Sequence, residues 1–350
     1  MAFCIVKHSG TGKRQNHCTG MRILLLLTLA GALCAQAPPQ NPPPSGEMAT
    51  IQVDVNVVNV LASVRDKRGG LVANLEKNDF TIFEDGKQQE IKYFARETDL
   101  PLTIGLLIDV SGSQRNLIDI ERSAASQFFS QVIRKKDEAF LISFGEECEL
   151  LQDYTNSARL LSQGMNGLRV SSGVGGFGPG PVPTAGDPRG TVLYDAVFLA
   201  ADEKLRTEVG RKVIVLITDG VDEGSRKKIG EAIEAAQKAD AVIYSIDYSD
   251  PRAYGNYGPF GGFGGGAGEG YLRQMSDATG GHVYKVGRNH SLQDVFQELQ
   301  EEMRSQYSLG FTSTNEKRDG SYRKLEIRMA NKDLKAQVRK GYYAVKPETR

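Results

Sequence analysis

Cysteine is scarce where it would matter. Of the four, Cys4, Cys18 and Cys34 fall within the first 34 residues, and Cys148 stands alone after them. A chain that loses its leader keeps one thiol, which excludes an intramolecular disulfide and a cysteine metal site. Histidine is equally sparse: beyond the leader only His282 and His290 occur. One begins an expected strand and the other precedes an expected helix, so neither pairs with a serine in a triad pattern. Charge of one sign is also missing. Lys+Arg and Asp+Glu both total 43, and no long block of one sign appears, so nothing steers the chain toward nucleic acid or an anionic membrane.

Long apolar runs are absent too. The run "ILLLLTLAGAL" after Arg22 has about 11 residues, too short for a bilayer span but right for the core of a secretion signal. Small residues follow in "CAQA". Residues 1–37 therefore read as a signal peptide, cut between Cys34 and Ala37, with Met21 as an alternative start. A membrane anchor is the competing reading. The expectation is an exported chain, periplasmic, secreted or on the cell surface, with no membrane span after the signal is removed.

The 350 residues, 40% of them hydrophobic, suffice for one sizeable domain and a smaller one. Residues 38–48 form a proline-rich linker, extended and without a core. Residues 49–98 are β-rich. Val53, Val55 and Val57 share one phase and Val58, Val60, Ala62 and Val64 the other, which suggests a bulge or two strands meeting. "DFTIFEDGKQQEIKYF" predicts a hairpin turning at Asp85-Gly86.

Residues 99–306 alternate strand and helix. "LTIGLLID", "KVIVLITD" and "AVIYSIDY" are apolar throughout, as strands of a parallel sheet covered on both faces are. Leu117, Ile120, Ala124, Phe128 and Val132 mark a helix after the first. "SLQDVFQELQEEM" opens with a Ser291–Asp294 capping box. "EAFLISFGEECELLQDY" reads as an antiparallel pair. The expected fold is α/β, a doubly wound, mostly parallel sheet. Residues 307–345 return to β, with "LKAQVRKGYY" as one strand. The two terminal β segments are expected to combine into one β-sandwich with the α/β domain inserted between them.

The candidate site lies at strand ends. In an open parallel sheet, ligands bind at the carboxyl ends of the strands, near the point where strand order reverses. Asp109 ends one strand, with Ser111 and Ser113 just after it. Asp219 ends another, and Thr191 opens a helix from a third loop. Two carboxylates and three hydroxyls, without nitrogen or sulfur, suit a hard cation: Mg2+ first, with Mn2+ or Ca2+ as alternatives. An ion held largely by neutral hydroxyls keeps an open position for a carboxylate from a partner. The competing reading is a set of helix caps. Asp222 and Asp195 are possible outer acids or merely solvated charges.

"DVSGS" resembles the D-x-S-x-S signature of von Willebrand factor A domains, and Thr191 with "TDG" completes the pattern of their metal-ion-dependent adhesion site. The resemblance spans about residues 102–306. It implies metal roles for Asp109, Ser111, Ser113, Thr191 and Asp219, and a protein ligand presenting Asp or Glu. "LEKNDFTIFEDGKQQEIKYF" and "RKGYYA" further resemble the bacterial VWFA-related acidobacterial domain family, which adds architecture more than activity. Gln114, where many A domains have Met, and the glycine-rich insert before Thr191 depart from the pattern.

Residues 171–190 and 254–270 are glycine-rich and are expected to be surface loops bordering the site, with Tyr254, Tyr257, Phe260 and Phe263 as contact candidates. Neither ends in the Lys-Ser/Thr of a P-loop, so no nucleotide is expected. "DVSGS" lacks the second acid of a D-x-D phosphoryl-transfer pattern. The chain is expected not to be an enzyme.

Overall fold

Alternation makes β1 (Val57–Arg65) a half-buried strand: Val58, Val60, Ala62 and Val64 turn inward, while Val57 is 40% exposed. The computed structural model describes residues 57–96, 100–170, 190–248 and 267–345. The signal, the linker, Val53, Val55, Tyr254, Tyr257, Phe260 and Phe263 lie outside the described residues, as does nearly all of both glycine-rich stretches. Within β1 one phase is used throughout; the irregular register lies instead at Gly310/Phe311. β2 (Phe80–Glu84) and β3 (Lys87–Gln89) form the hairpin. Asp85 and Gly86 both take positive φ there, as a tight hairpin turn requires. β4 (Ile91–Arg96) follows.

The central sheet begins with β5 (Leu102–Asp109), every residue of which is buried. α1 (Ile118–Val132) leads to β6 (Glu138–Phe144), which turns back into β7 (Cys148–Thr155) and α2 (Ala158–Met165). α3 (Leu193–Phe198) runs on as a π-helical stretch to Leu205. β8 (Arg211–Thr218), α4 (Ile229–Lys238), β9 (Ala241–Asp247), α5 (Ala267–Thr279), β10 (Val283–Lys285) and α6 (Leu292–Arg304) complete the alternation. The strand order is β10-β9-β8-β5-β6-β7, with only β7 antiparallel.

Each face of this sheet has its own core. Ile104, Leu106 and Ile108 pack with Phe128 of α1 and Phe296 of α6. Leu107, Phe140 and Ile214 pack with residues of α3, α4 and α5. Gly105 lies under the Phe140 ring, where a Cβ would come within 2.4 Å of it.

Two positions on α1 depart from expectation. Ile120 is 46% exposed, whereas Glu121 is fully buried. A short 3-10 turn (Gly112–Gln114) and the residues after it delay the helix to Ile118, and that sets which side chains face the sheet.

The terminal strands interleave. β11 (Tyr307–Thr312) and β13 (Lys335–Val338) flank β1 in a sheet ordered β13-β1-β11-β4. β12 (Tyr322–Met329) and β14 (Gly341–Tyr343) join the first hairpin as β14-β12-β2-β3. Ile327 faces Ile82 across β12 and β2, and Met329 faces Phe80. One apolar cluster takes residues from both sheets, Val60, Ile82, Leu309 and Leu325 among them.

"LKAQVRKGYY" is not one strand: β13 and β14 belong to different sheets. Lys340 N–H donates to Ala278 O at 3.1 Å, which pins the bend between them. Beside it, Gly341 packs against the Arg323 carbonyl, where a Cβ would approach to 2.3 Å.

Arg323, 1% exposed, is the buried charge of this region. It donates to Ser313 Oγ at 2.8 Å and to Glu84 Oε1 at 3.3 Å, and the Tyr342 hydroxyl donates to the same carboxylate. Among the described residues, no helix is long and apolar enough to cross a membrane.

Candidate metal centre

β5 and β8 are neighbours at the point where strand order reverses. The chain leaves β5 toward β6 on one side and returns through β8 on the other. The carboxyl ends of both strands therefore open on one crevice.

Asp109 is wholly buried there. Its Oδ1 accepts the Ser111 N–H at 2.8 Å and its Oδ2 accepts the Thr218 hydroxyl at 2.6 Å. Ser111 Oγ lies 3.0 Å from Ser113 Oγ, and Ser113 Oγ donates to Asp219 Oδ2 at 2.7 Å. Asp219 Oδ1 accepts the Val221 N–H at 3.1 Å. Asp109, Ser111, Ser113 and Asp219 thus form one hydrogen-bonded chain across two loops.

The loop after Asp219 is held close under α5. Gly220 has φ +81°, and a Cβ there would come within 2.5 Å of the Gly268 carbonyl. Only glycine takes this conformation and this approach together.

Thr191 arrives at the same end of the sheet but by its backbone. Its carbonyl accepts the Glu223 N–H at 3.0 Å, and the next residue, Val192, donates to Gly145 at the end of β6. The hydrogen bonds linking the other four residues do not include the Thr191 hydroxyl. Asp195 and Asp222 brace the loops. Asp195 accepts the Arg226 and Lys227 N–H groups, and Asp222 accepts the Ser225 hydroxyl.

Three further residues join the site, of which the sequence reading singles out only Gln114, as a departure from the pattern. Thr218, one residue before Asp219, orients Asp109; the only sign of it is a hydroxyl at the last position of an apolar strand. Gln114 is fully buried, with Nε2 at 3.4 Å from both Ser113 Oγ and Asp219 Oδ2, while its Oε1 has no hydrogen-bond partner. Glu121 is buried with neither carboxyl oxygen hydrogen-bonded.

The electrostatics follow from this crowding. Burial, and then the charge of Asp219, push the Asp109 carboxyl up to about 7. Burial, and then Asp109, hold Glu121 well above the ordinary range. Acids packed against one another without a bridging cation disfavour ionisation. A divalent cation among them would reverse that balance. Among the described residues no group of three or more His, Cys, Asp and Glu is placed to hold a metal. The donor set is instead two acids with hydroxyls, all oxygen, which fits a hard cation. Cys148 takes no part: its half-buried thiol is pushed up to about 11 by burial and then by Asp195.

No family model matches the sequence, and no curated protein matches it. Solved structures similar in fold include proximal thread matrix protein 1 from the mussel byssus, at 11% identity and TM-score 0.44. That alignment covers 63% of this chain and 51% of the mussel chain, so this chain spans about half its length. The same protein with a zinc-occupied MIDAS motif aligns at 11% identity over 64% and 50% of the two chains, TM-score 0.43. The von Willebrand factor domain of the type V pili tip protein Mfa5 from Porphyromonas gingivalis aligns at 13% identity over 58% and 95%, TM-score 0.41. All three TM-scores lie below 0.5, so the functional reading rests on the site's own geometry.

Proposed function

We propose that this protein is a divalent-cation-dependent protein-binding module, an adhesion or scaffold component whose metal-ion-dependent adhesion site grips a carboxylate of its partner. One observation carries the reading: Asp109, Ser111, Ser113 and Asp219 form a single hydrogen-bonded group at the carboxyl ends of two adjacent parallel strands.

Asp109, Ser111, Ser113, Thr191 and Asp219 would hold the ion, Mg2+ first, with Mn2+ or Ca2+ as alternatives. The ion supplies an electrophilic position for an Asp or Glu of a protein ligand. Thr218 and the Ser111 N–H fix the orientation of Asp109. The chemistry is binding, with no catalytic role, nucleotide or nucleic acid. In this reading residues 99–306 form a von Willebrand A domain, and residues 49–98 and 307–345 form a β-sandwich that carries it. The likeness to the VWFA-related acidobacterial domain family belongs to the same reading. So does export to the periplasm, medium or cell surface of a bacterium, which rests on residues 1–37.

Calorimetric titration with Mg2+ tests the proposal. Saturable heat with the wild type and none with Asp109→Ala is expected; no heat with the wild type overturns it. A second reading has its own observation. Ser113 and Gln114 both donate toward Asp219, which ties that acid without an ion. This favours a structural or assembly component of an envelope complex that uses the fold metal-free. A chelator that leaves a captured partner bound would favour this second reading.

A further inference from the structure

Gln114 ends the 3-10 turn that carries Ser113, and its side chain is fully buried. Its Nε2 lies 3.4 Å from both Ser113 Oγ and Asp219 Oδ2, two of the oxygens assigned above to the ion. The end of this side chain therefore reaches the place the ion would take.

The amide is poorly used there. Both contacts are longer than the roughly 2.7–3.2 Å of a good N–H···O bond. Asp219 Oδ2 already accepts the Ser113 hydroxyl at 2.7 Å. The other half of the amide, Oε1, is buried with no hydrogen-bond partner. A buried acceptor left so is costly, and it calls for a water, a ligand or an ion to meet it. An amide oxygen is a hard, neutral donor of the kind found in oxygen-ligated cation sites. The present orientation, with N–H groups toward Asp219, suits that carboxylate without an ion. The opposite orientation suits the ion, because a cation is repelled by N–H donors and held by a carbonyl oxygen. Turning the amide over would carry its N–H2 to where Oε1 now lies. A buried acceptor is available in this part of the protein: Glu121, on which the charge of Asp109 acts, has both carboxyl oxygens without a hydrogen-bond partner.

We propose that Gln114 is a further ligand of the cation centre, and an ion-responsive one: without the ion its N–H2 holds Ser113 and Asp219, and with the ion its amide turns over and Oε1 binds the cation. The inference rests on the cation-site reading and adds to it a residue outside the five assigned there. Because Gln114 is fully buried, its oxygen meets the ion from the protein side and leaves the solvent side for a partner's carboxylate. The ion has to displace the contact between Gln114 and Asp219, so one side chain both steadies the metal-free centre and completes the loaded one.

The test titrates the full chain with Mg2+ by calorimetry, comparing the wild type with two variants. Gln114→Met keeps the length of the side chain and removes its amide; Gln114→Glu keeps an oxygen at its end. Affinity about tenfold lower in Gln114→Met, and restored to the wild-type value or better in Gln114→Glu, is expected. A side chain that only fills space gives the opposite order, with Met tolerated and a buried Glu not. Equal affinity in the wild type and a folded Gln114→Met, or a folded Gln114→Glu no better than Gln114→Met, overturns this inference and leaves the cation site standing. A wild type that binds no divalent cation overturns both. Should either variant fail to fold, the Mn2+-loaded wild type labelled with 13C at glutamine Cδ decides, by electron–nuclear double resonance. The 13C coupling of a directly bound amide supports the inference, and its absence overturns it.

Discussion

At the scale of single residues, the site is a contest between burial and charge. Asp109 holds its proton up to about pH 7, whereas an aspartate in an unfolded chain loses it near 4. Its folded pKa lies above its unfolded value. The stability tied to this proton is therefore fully present below about pH 4 and lost as pH rises through 7. Without divalent cation, thermal stability should fall across that window, and saturating Mg2+ should flatten the fall; melting curves in paired buffers check both. Thr218→Val removes the hydroxyl on Asp109 Oδ2 at nearly constant volume. A charge-assisted hydrogen bond contributes about 1.5–3 kcal/mol, so Mg2+ affinity should drop roughly tenfold or more, read by calorimetry. Glu121→Leu replaces a buried acid that has no hydrogen-bond partner, and should raise stability by roughly 1–3 kcal/mol in urea unfolding at neutral pH. Asp109, Ser111, Ser113 and Asp219 were legible because two apolar strands each end abruptly in oxygen donors. Glu121 was not, because one turn of 3-10 backbone sets the phase of α1 and no periodicity reveals it. Thr191 is legible only as a position, since its approach runs through the glycine-rich stretch.

At the scale of elements, the strands were readable from their apolar runs and the register of their packing was not. Gly105 in β5 reads only as a strand-weakening residue until the Phe140 ring is seen lying over it. Gly105→Ala forces a Cβ into that ring and should cost roughly 1–3 kcal/mol, measured by denaturant unfolding. The division of "LKAQVRKGYY" between two sheets was equally hidden, since both halves alternate alike. What separates them is a long-range bond from Lys340 to Ala278 and the tight seat of Gly341. The Arg323–Glu84–Tyr342 group ties β12, β2 and β14 together. Arg323→Met leaves Glu84 buried without its cation and should destabilise by about 3–5 kcal/mol, with the loss read as a lowered urea midpoint.

At the scale of the whole molecule, the two terminal β segments share their sheets, β1 lying between β11 and β13 and β2 pairing with β12. The α/β portion sits between them in sequence and touches them in space. Arg65 reaches Glu302 and the Tyr284 hydroxyl, and Gln337 donates to the Gly281 carbonyl at 2.8 Å. A chain ending at residue 306 would leave β1 without β11 and β13, and β2 without β12. Limited proteolysis should then cut within residues 57–96, which stay protected in the full chain, while residues 100–306 resist. Equal resistance of residues 57–96 in the shortened chain would show that the interleaving contributes little.

The pairing of Val57 with Thr312 also has a temporal side. A polypeptide that emerges amino end first makes β1 early and its partners last, so one unsatisfied strand must wait through the synthesis or passage of nearly everything between. Closing so large a loop is slow, and an open strand edge in the meantime invites association with other chains. The central helices and parallel strands have no such wait, so in refolding they should mature first and the outer sheets should lock last.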